Sequence, residues 1–238
     1  MKNNLQILLP GLGEQFEFLK KNLHTKPENI LIIGASSEIP AMKIAQSFNA
    51  NVQLIVDDYE SLLNSKLILA DSEKIELKMM SYDATDFEEN EFDLIYAQAS
   101  ISLINRNKIV KEIKRILKLS GHFCVGEVTK SANEVPRFMK DIFESSGQLP
   151  LFAEEMDKYY SDRNFKILGK KNLTYTLKDF YSLSISNLGN SVKTFSDSEK
   201  SYYKKILNRI SHESNVYLKL GGDKYLGFYA LLLRKEEN

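Results

Sequence analysis

The sequence predicts an α/β protein built on a doubly wound, mostly parallel sheet that ends in an antiparallel C-terminal hairpin. Three observations carry that expectation. Over the first 120 residues short apolar runs alternate with segments of helical spacing, the pattern of a parallel sheet covered on both faces. The stretch LIIGASSEIPAMKIA, Leu31 to Ala45, reads as a buried strand, a tight turn and a helix. Near the end, Gly221-Gly222-Asp223 separates two apolar segments in NVYLKLGGDKYLGFYALLLRK, which predicts strand, glycine turn and strand.

Taken in order, residues 1–28 form an N-terminal helical cap. Within it LLPGLGEQFEFL places Gly11 and Gly13 before an amphipathic helix, which can close over a bound ligand as a flap or only cover the sheet. Residues 29–130 alternate: NILIIG, NVQLIVDD, KIELKMMSYDA, FDLIYAQ and HFCVGEV are strands. IPAMKIAQSF and YESLLNSKLILA are helices, and NRNKIVKEIKRILK puts Ile109, Ile113, Ile116 and Leu117 on one face with lysines opposite. In residues 131–238 the pattern loosens. VPRFMKDIFESSG and LPLFAEEMDKYYSD have helical spacing, and NFKILGKKNLTYTL is extended. In FSDSEKSYYKKILNRI, Ser196 and Glu199 form a capping box. The whole reads as a single domain with a substrate-side insertion around 175–215. Nine of the twelve tyrosines lie after residue 150, so this half can supply a lid of amphipathic rings or merely cover a small core.

Thirty-two basic and 32 acidic residues cancel, which argues against a nucleic-acid or anionic-membrane partner. Cys124 is the single cysteine, and the start MKNNLQILLPGLGEQ lacks a signal-peptide layout. Both favour the cytoplasm. Three scattered histidines and no Cys/His cluster give no metal site.

The turn after the first strand narrows the ligand. GASSEIP resembles the TGASSGIG turn of short-chain dehydrogenases, whose glycines admit a pyrophosphate. Here Glu38 and Pro40 stand at the two later glycine positions, and a carboxylate beside two phosphate charges disfavours binding. Those enzymes also need a tyrosine four residues before a lysine, whereas this chain offers Tyr159 with Arg163. S-adenosylmethionine carries no phosphate. A helix N-terminus can receive its carboxylate, its two positive charges tolerate a nearby acid, and Ser36 and Ser37 can cap the helix.

Four stretches in order, LIIGASS, VQLIVDDYESLL, SYDATDFEENEFDLIYAQ and ILKLSGHFCVGE, resemble the class I S-adenosylmethionine-dependent methyltransferases. The resemblance lies with the group that includes ubiquinone/menaquinone-biosynthesis enzymes and related small-molecule methyltransferases. It runs from about Asn29 to Glu127 and implies a Rossmann-like, seven-stranded sheet. It implies that Gly34, Ala35, Ser36 and Glu38 form the cofactor turn. Asp57, with Asp58 as fallback, would accept the ribose hydroxyls, and Asp83 and Ala84 would read the adenine. Tyr96, Ala97 and Gln98 would lie near the methyl donor, and Ser120, Gly121 and His122 would be structural. Of the family's glycine motif only Gly34 is present; Ile32, Ser36 and Glu38 occupy its other positions.

The function implied is methyl transfer from S-adenosylmethionine, with S-adenosylhomocysteine as product, to a small-molecule substrate; a homodimer is open. Tyr96 and Glu127, or Tyr159, are the candidates for a general base, needed only if the nucleophile arrives protonated. A methyltransferase-like binding protein with weak or no activity is the second reading, motivated by the lost glycines. A nicotinamide-dependent oxidoreductase is third.

Overall fold

The structure, a computed structural model, describes residues 7–191 and 197–237. The chain runs α1 (Glu14–Asn22), β1 (Asn29–Ile33), α2 (Glu38–Phe48), β2 (Asn51–Val56), α3 (Tyr59–Ile68), β3 (Ile75–Met79) and β4 (Phe92–Gln98). It continues through α4 (Arg106–Ile116), β5 (Leu117–Lys130), α5 (Arg137–Ser145), β6 (Leu151–Phe152), α6 (Glu155–Ser161) and β7 (Phe165–Asn172). Last come α7 (Leu177–Ser191), α8 (Asp197–Lys219) and β8 (Leu226–Lys235).

The sheet order is β3-β2-β1-β4-β5-β8-β7, with the two-residue β6 beside β5. Strands β1 to β5 are parallel, and β8 runs antiparallel between β5 and β7. This is the mostly parallel, seven-stranded sheet with an antiparallel C-terminal pair that the sequence predicts. Alternation along each strand feeds two cores. Ile30, Ile32, Leu94, Tyr96 and Cys124 face a core with α1 and α2; Leu31, Ile33, Ile95, Ala97 and Phe123 face one with α4 and α6. The period of two explains why the strands are apolar throughout: each buries both faces.

Local chemistry sets the ends of the elements. α2 carries Pro40 in its first turn, where no intrahelical N–H is lost, and stops at Asn49, which adopts a left-handed φ of 51°. α4 buries Ile109, Val110, Ile113 and Ile116, as its spacing predicts. The LKLSG segment is a bulge inside β5: Phe92 pairs with Leu117, whereas Leu94 pairs with His122, and Ser120 takes a φ of 61°.

Two expectations fail locally. KIELKMMSYDA is extended only to Met79, and Ser81 to Ala84 close a tight turn. The segment NVYLK is the last turn of α8 rather than a strand, so the antiparallel partner of β8 is β7, reached across the α7–α8 insertion. Tyr203, Ile206, Ile210, Ser214 and Tyr217 are buried at helical spacing, and this period overrides the β-propensity of Val216 and Tyr217. The capping residue Ser196 lies outside the described residues.

Candidate functional site

β1 and β4 are adjacent, but the chain leaves β1 for β2 on its other side, so the strand order reverses between them. In open α/β sheets a crevice forms at the carboxyl ends of such strands. Here the turn after β1 packs tightly on the loop after β4. Gly34 has a φ of 133°, and a Cβ there would lie 2.7 Å from the Ser100 Cβ. The Ser100 hydroxyl donates to the Ile33 carbonyl at 2.6 Å. Gly34 is therefore required by this packing, whatever else the turn holds.

Above the turn lies a cavity of about 270 Å³. Ala35, Ser36 and Asp57 form its floor, with Tyr82, Gln98 and Ser100 beside them. Asp57 is exposed at the tip of β2, and the Tyr82 phenol lies in the field of its carboxylate. Burial and the Asp57 charge hold the Tyr82 phenol well above its usual pKa, so it stays a neutral donor. Ser36 adopts a φ of 62°, and the backbone N–H groups of Ala35, Ser36 and Ser37 make no hydrogen bond within the described residues. The N–H donors of Ala35 and Ser36 and a solvated carboxylate acceptor thus share the cavity lining, whereas Ser37 is buried behind it. That donor set suits a ligand with a carboxylate at one end and a vicinal diol at the other.

The roof is the segment before α1. Ile7, Leu8, Leu9 and Pro10 line the cavity, held down by Gln98, whose amide donates to the Pro10 carbonyl at 2.8 Å and the Leu12 carbonyl at 2.9 Å. The amide oxygen of Gln98 accepts from the Tyr96 hydroxyl at 2.6 Å. Both ends of Gln98 are engaged, so it secures the strap. Tyr96 is fully buried and its pKa is driven far up by burial. As a correction to its expected catalytic role, Tyr96 orients Gln98 and does not reach the cavity. Ala97 is likewise buried; its carbonyl accepts from Gln15 of α1 at 2.9 Å. Gln15 passes over Gly126, where a Cβ would lie 1.9 Å from its oxygen.

Several expected site residues have other work. Glu38 is buried and accepts from the Ser65 hydroxyl, tying α2 to α3; burial raises its pKa. Its carboxylate is turned away from the cavity. Asp58 caps α3, accepting from the Ser61 N–H at 2.8 Å. Asp83 accepts from the Ser81 hydroxyl at 2.6 Å and the Asn105 amide at 3.0 Å; these bonds lower its pKa. It ties the β3–β4 loop to the start of α4, and Ala84 is exposed in the same turn. Neither lines the cavity.

Glu127 is fully buried and its oxygens are occupied. Ser102 donates at 3.1 Å and Arg106 Nε at 2.9 Å, and Tyr160 donates to the other oxygen. With both oxygens engaged and no place in the cavity lining, Glu127 is corrected to a structural anchor. Tyr159 donates to Asn107 at 2.9 Å and stacks with Arg163, whose guanidinium lies 3.7 Å from the ring centroid. Tyr159 too is absent from the cavity lining.

Other residues enter the lining that sequence reasoning did not single out. Tyr82 arrives from the β3–β4 turn, Phe180 and Tyr181 from α7, and Arg209, Ile210 and Glu213 from α8. α8 is anchored on α3 by Lys205 Nζ to Glu60 at 2.8 Å and by the Tyr203 hydroxyl to Asn64, so that α7 and α8 form one wall of the cavity, called the lid below. The abundance of late tyrosines was the available signal, but it named no side chain.

Residues 31–125 match a family described as the methyltransferase domain. No curated protein matches the chain. Among solved structures, a phosphoethanolamine N-methyltransferase 2 from Haemonchus contortus, in complex with S-adenosyl-L-methionine, is 16% identical with a TM-score of 0.78. That match covers 99% of this chain and 55% of the other. The [4+2]-cyclase SpnF is 16% identical, with a TM-score of 0.73 over 94% of this chain and 80% of its own. A geranyl diphosphate C-methyltransferase from Streptomyces coelicolor A3(2) is 11% identical, with a TM-score of 0.66 over 94% of this chain and 77% of its own. Identities this low speak to the fold alone: the chain has the mostly parallel sheet of these solved structures, and its residues 31–125 match the methyltransferase-domain family.

Proposed function

We propose that the protein transfers a methyl group from S-adenosylmethionine to a small-molecule acceptor. The observation that carries this reading is the cavity lining that brings the free N–H groups of Ala35 and Ser36 together with the exposed Asp57 carboxylate. Asp57 would accept the ribose hydroxyls, and the two N–H groups would receive the amino-acid carboxylate. When bound, the cofactor supplies an electrophilic methyl carbon on a sulfonium. The chain's own contribution is positioning and exclusion of water. The strap over Gln98 and the α7–α8 lid close the cavity from two sides, and Ile7 packs against the Tyr203, Ile206 and Ile210 cluster of α8. A cavity of about 270 Å³ favours a small acceptor over a macromolecular one.

The Tyr82 phenol beside Asp57 favours a second reading, a methyltransferase-like binding protein in which a tyrosine stands where the cofactor would meet that carboxylate. Titration calorimetry with S-adenosylmethionine, S-adenosylhomocysteine and NADPH separates the readings. Methyl transfer predicts micromolar affinity for both sulfur compounds, about −8 kcal/mol, and no heat with NADPH. Absence of heat with either sulfur compound would defeat it in favour of the binding protein.

A further inference from the structure

The α7–α8 wall of the cavity carries two polar side-chain groups that make no hydrogen bond to a described residue. Glu213 of α8 lines the cavity with its side chain only 18% exposed. Its nearest cation, Arg209 Nε, is 3.9 Å away on a side chain that is 60% exposed. That distance is beyond hydrogen bonding, and no described residue donates a hydrogen bond to Glu213. Tyr181 of α7 lines the same wall, packed between Phe180 and Tyr217 with ring centroids 4.8 Å away in each case. Its hydroxyl has no hydrogen-bond partner among the described residues, and it lies within the field of Glu213.

The contrast with Glu127 is informative. That buried carboxylate is met by Arg106, Ser102 and Tyr160; Glu213 is withdrawn from water without such partners. A carboxylate in that position costs free energy unless a cationic donor joins it. Burial accordingly raises its pKa, against the opposing charges of Arg209 and His212. Of the remaining lining, Leu103, Val128, Ile142 and Leu226 are apolar, and Ser146 and Gln148 are polar.

We propose that Glu213 and Tyr181 form an ammonium-binding wall, and that the methyl acceptor is a small amine with an apolar body. The proposal deepens the methyl-transfer reading and rests on it for the word acceptor. Glu213 pairs with the ammonium, the Tyr181 hydroxyl accepts a second N–H, and the tyrosine ring adds cation–π attraction. Glu213 Oε then takes one N–H proton, which leaves the lone pair on nitrogen and makes it nucleophilic. The proton passes from Glu213 to water.

The test uses the full chain and three probes with one apolar body: hexylamine, hexan-1-ol and hexanoate, titrated by calorimetry near neutral pH. The wall predicts that hexylamine binds about ten-fold tighter than hexan-1-ol, a difference that Glu213→Gln reduces to about two-fold or less. Tyr181→Phe, the variant with the smaller risk to folding, lowers amine affinity about three-fold and leaves the alcohol unchanged. S-adenosylhomocysteine affinity stays within about two-fold in both variants. Equal affinity for amine and alcohol, tighter binding of hexanoate, or an amine preference that survives in both variants overturns the wall. If amine discrimination holds while S-adenosylhomocysteine fails to bind the wild type, the wall stands and the methyl-transfer reading falls.

Discussion

At the scale of single residues, the buried glutamates divide by their partners. Glu127 is joined to Arg106 inside the second core, with Arg106 also donating to the Leu149 carbonyl at 2.6 Å. Removing one member strands the other charge, so Glu127→Ala should destabilise the protein by about 3–5 kcal/mol, read as a lower urea midpoint. A paired replacement, Glu127→Leu with Arg106→Met, should recover much of that loss. Glu38 has the opposite character. Burial raises its folded pKa, so the folded state binds its proton more tightly than the unfolded chain does. Its contribution to stability is complete below the ordinary glutamate range and is lost as pH rises through the raised value. Glu38→Gln, which keeps an acceptor for Ser65, should therefore gain on the wild type as pH rises from 4 to 7, in parallel urea titrations. Asp57 was legible in the sequence because an acid ending an apolar strand has few structural uses. The work of Asp58, Asp83 and Glu127 was not, because it depends on Ser61, Asn105 and Tyr160, of which two are distant in sequence.

Among the elements, the strap before α1 is the one whose position decides access to the cavity. Gln98 is hydrogen-bonded to it, Ile7 and Leu8 pack on the cores, and Gly11, whose φ is 85°, fits where a Cβ would lie 2.5 Å from the Phe228 ring. Gln98→Leu deletes three hydrogen bonds and leaves two carbonyls and the Tyr96 hydroxyl unmet, a cost of about 1–3 kcal/mol for each buried group. Hydrogen exchange should show faster opening of residues 8–13 in that variant, with protection of β1 and β5 unchanged. Unchanged exchange in the strap would mean that Gln98 does not secure it. Strands were readable from composition because each buries both faces, as Ile30 to Ile33 do. The α8 segment NVYLK was misread because a five-residue window of β-formers hides a period that runs back to Tyr203.

Across the whole molecule, the site is assembled from distant parts of the chain: the strap, the tips of β1, β2 and β4, the β3–β4 turn, and the α7–α8 lid. The first half of that list follows from the rule that ligands sit at the switch point of an open sheet, and the sequence order alone reaches it. The lid does not follow. Arg209 and Glu213 fall four apart on a helix whose docking depends on Tyr203 meeting Asn64 and Lys205 meeting Glu60. No helix among the described residues is long and apolar enough to cross a membrane. The central claim is that Asp57 holds a cofactor diol while its neighbour Asp58 only caps α3. Titration calorimetry of S-adenosylhomocysteine into the wild type, Asp57→Ala and Asp58→Ala tests it most directly. The account predicts micromolar binding by the wild type, a loss of about ten-fold or more in Asp57→Ala, and near-wild-type affinity in Asp58→Ala despite a stability loss of about 1 kcal/mol. Equal affinity in the wild type and Asp57→Ala, or no binding by the wild type, would contradict it.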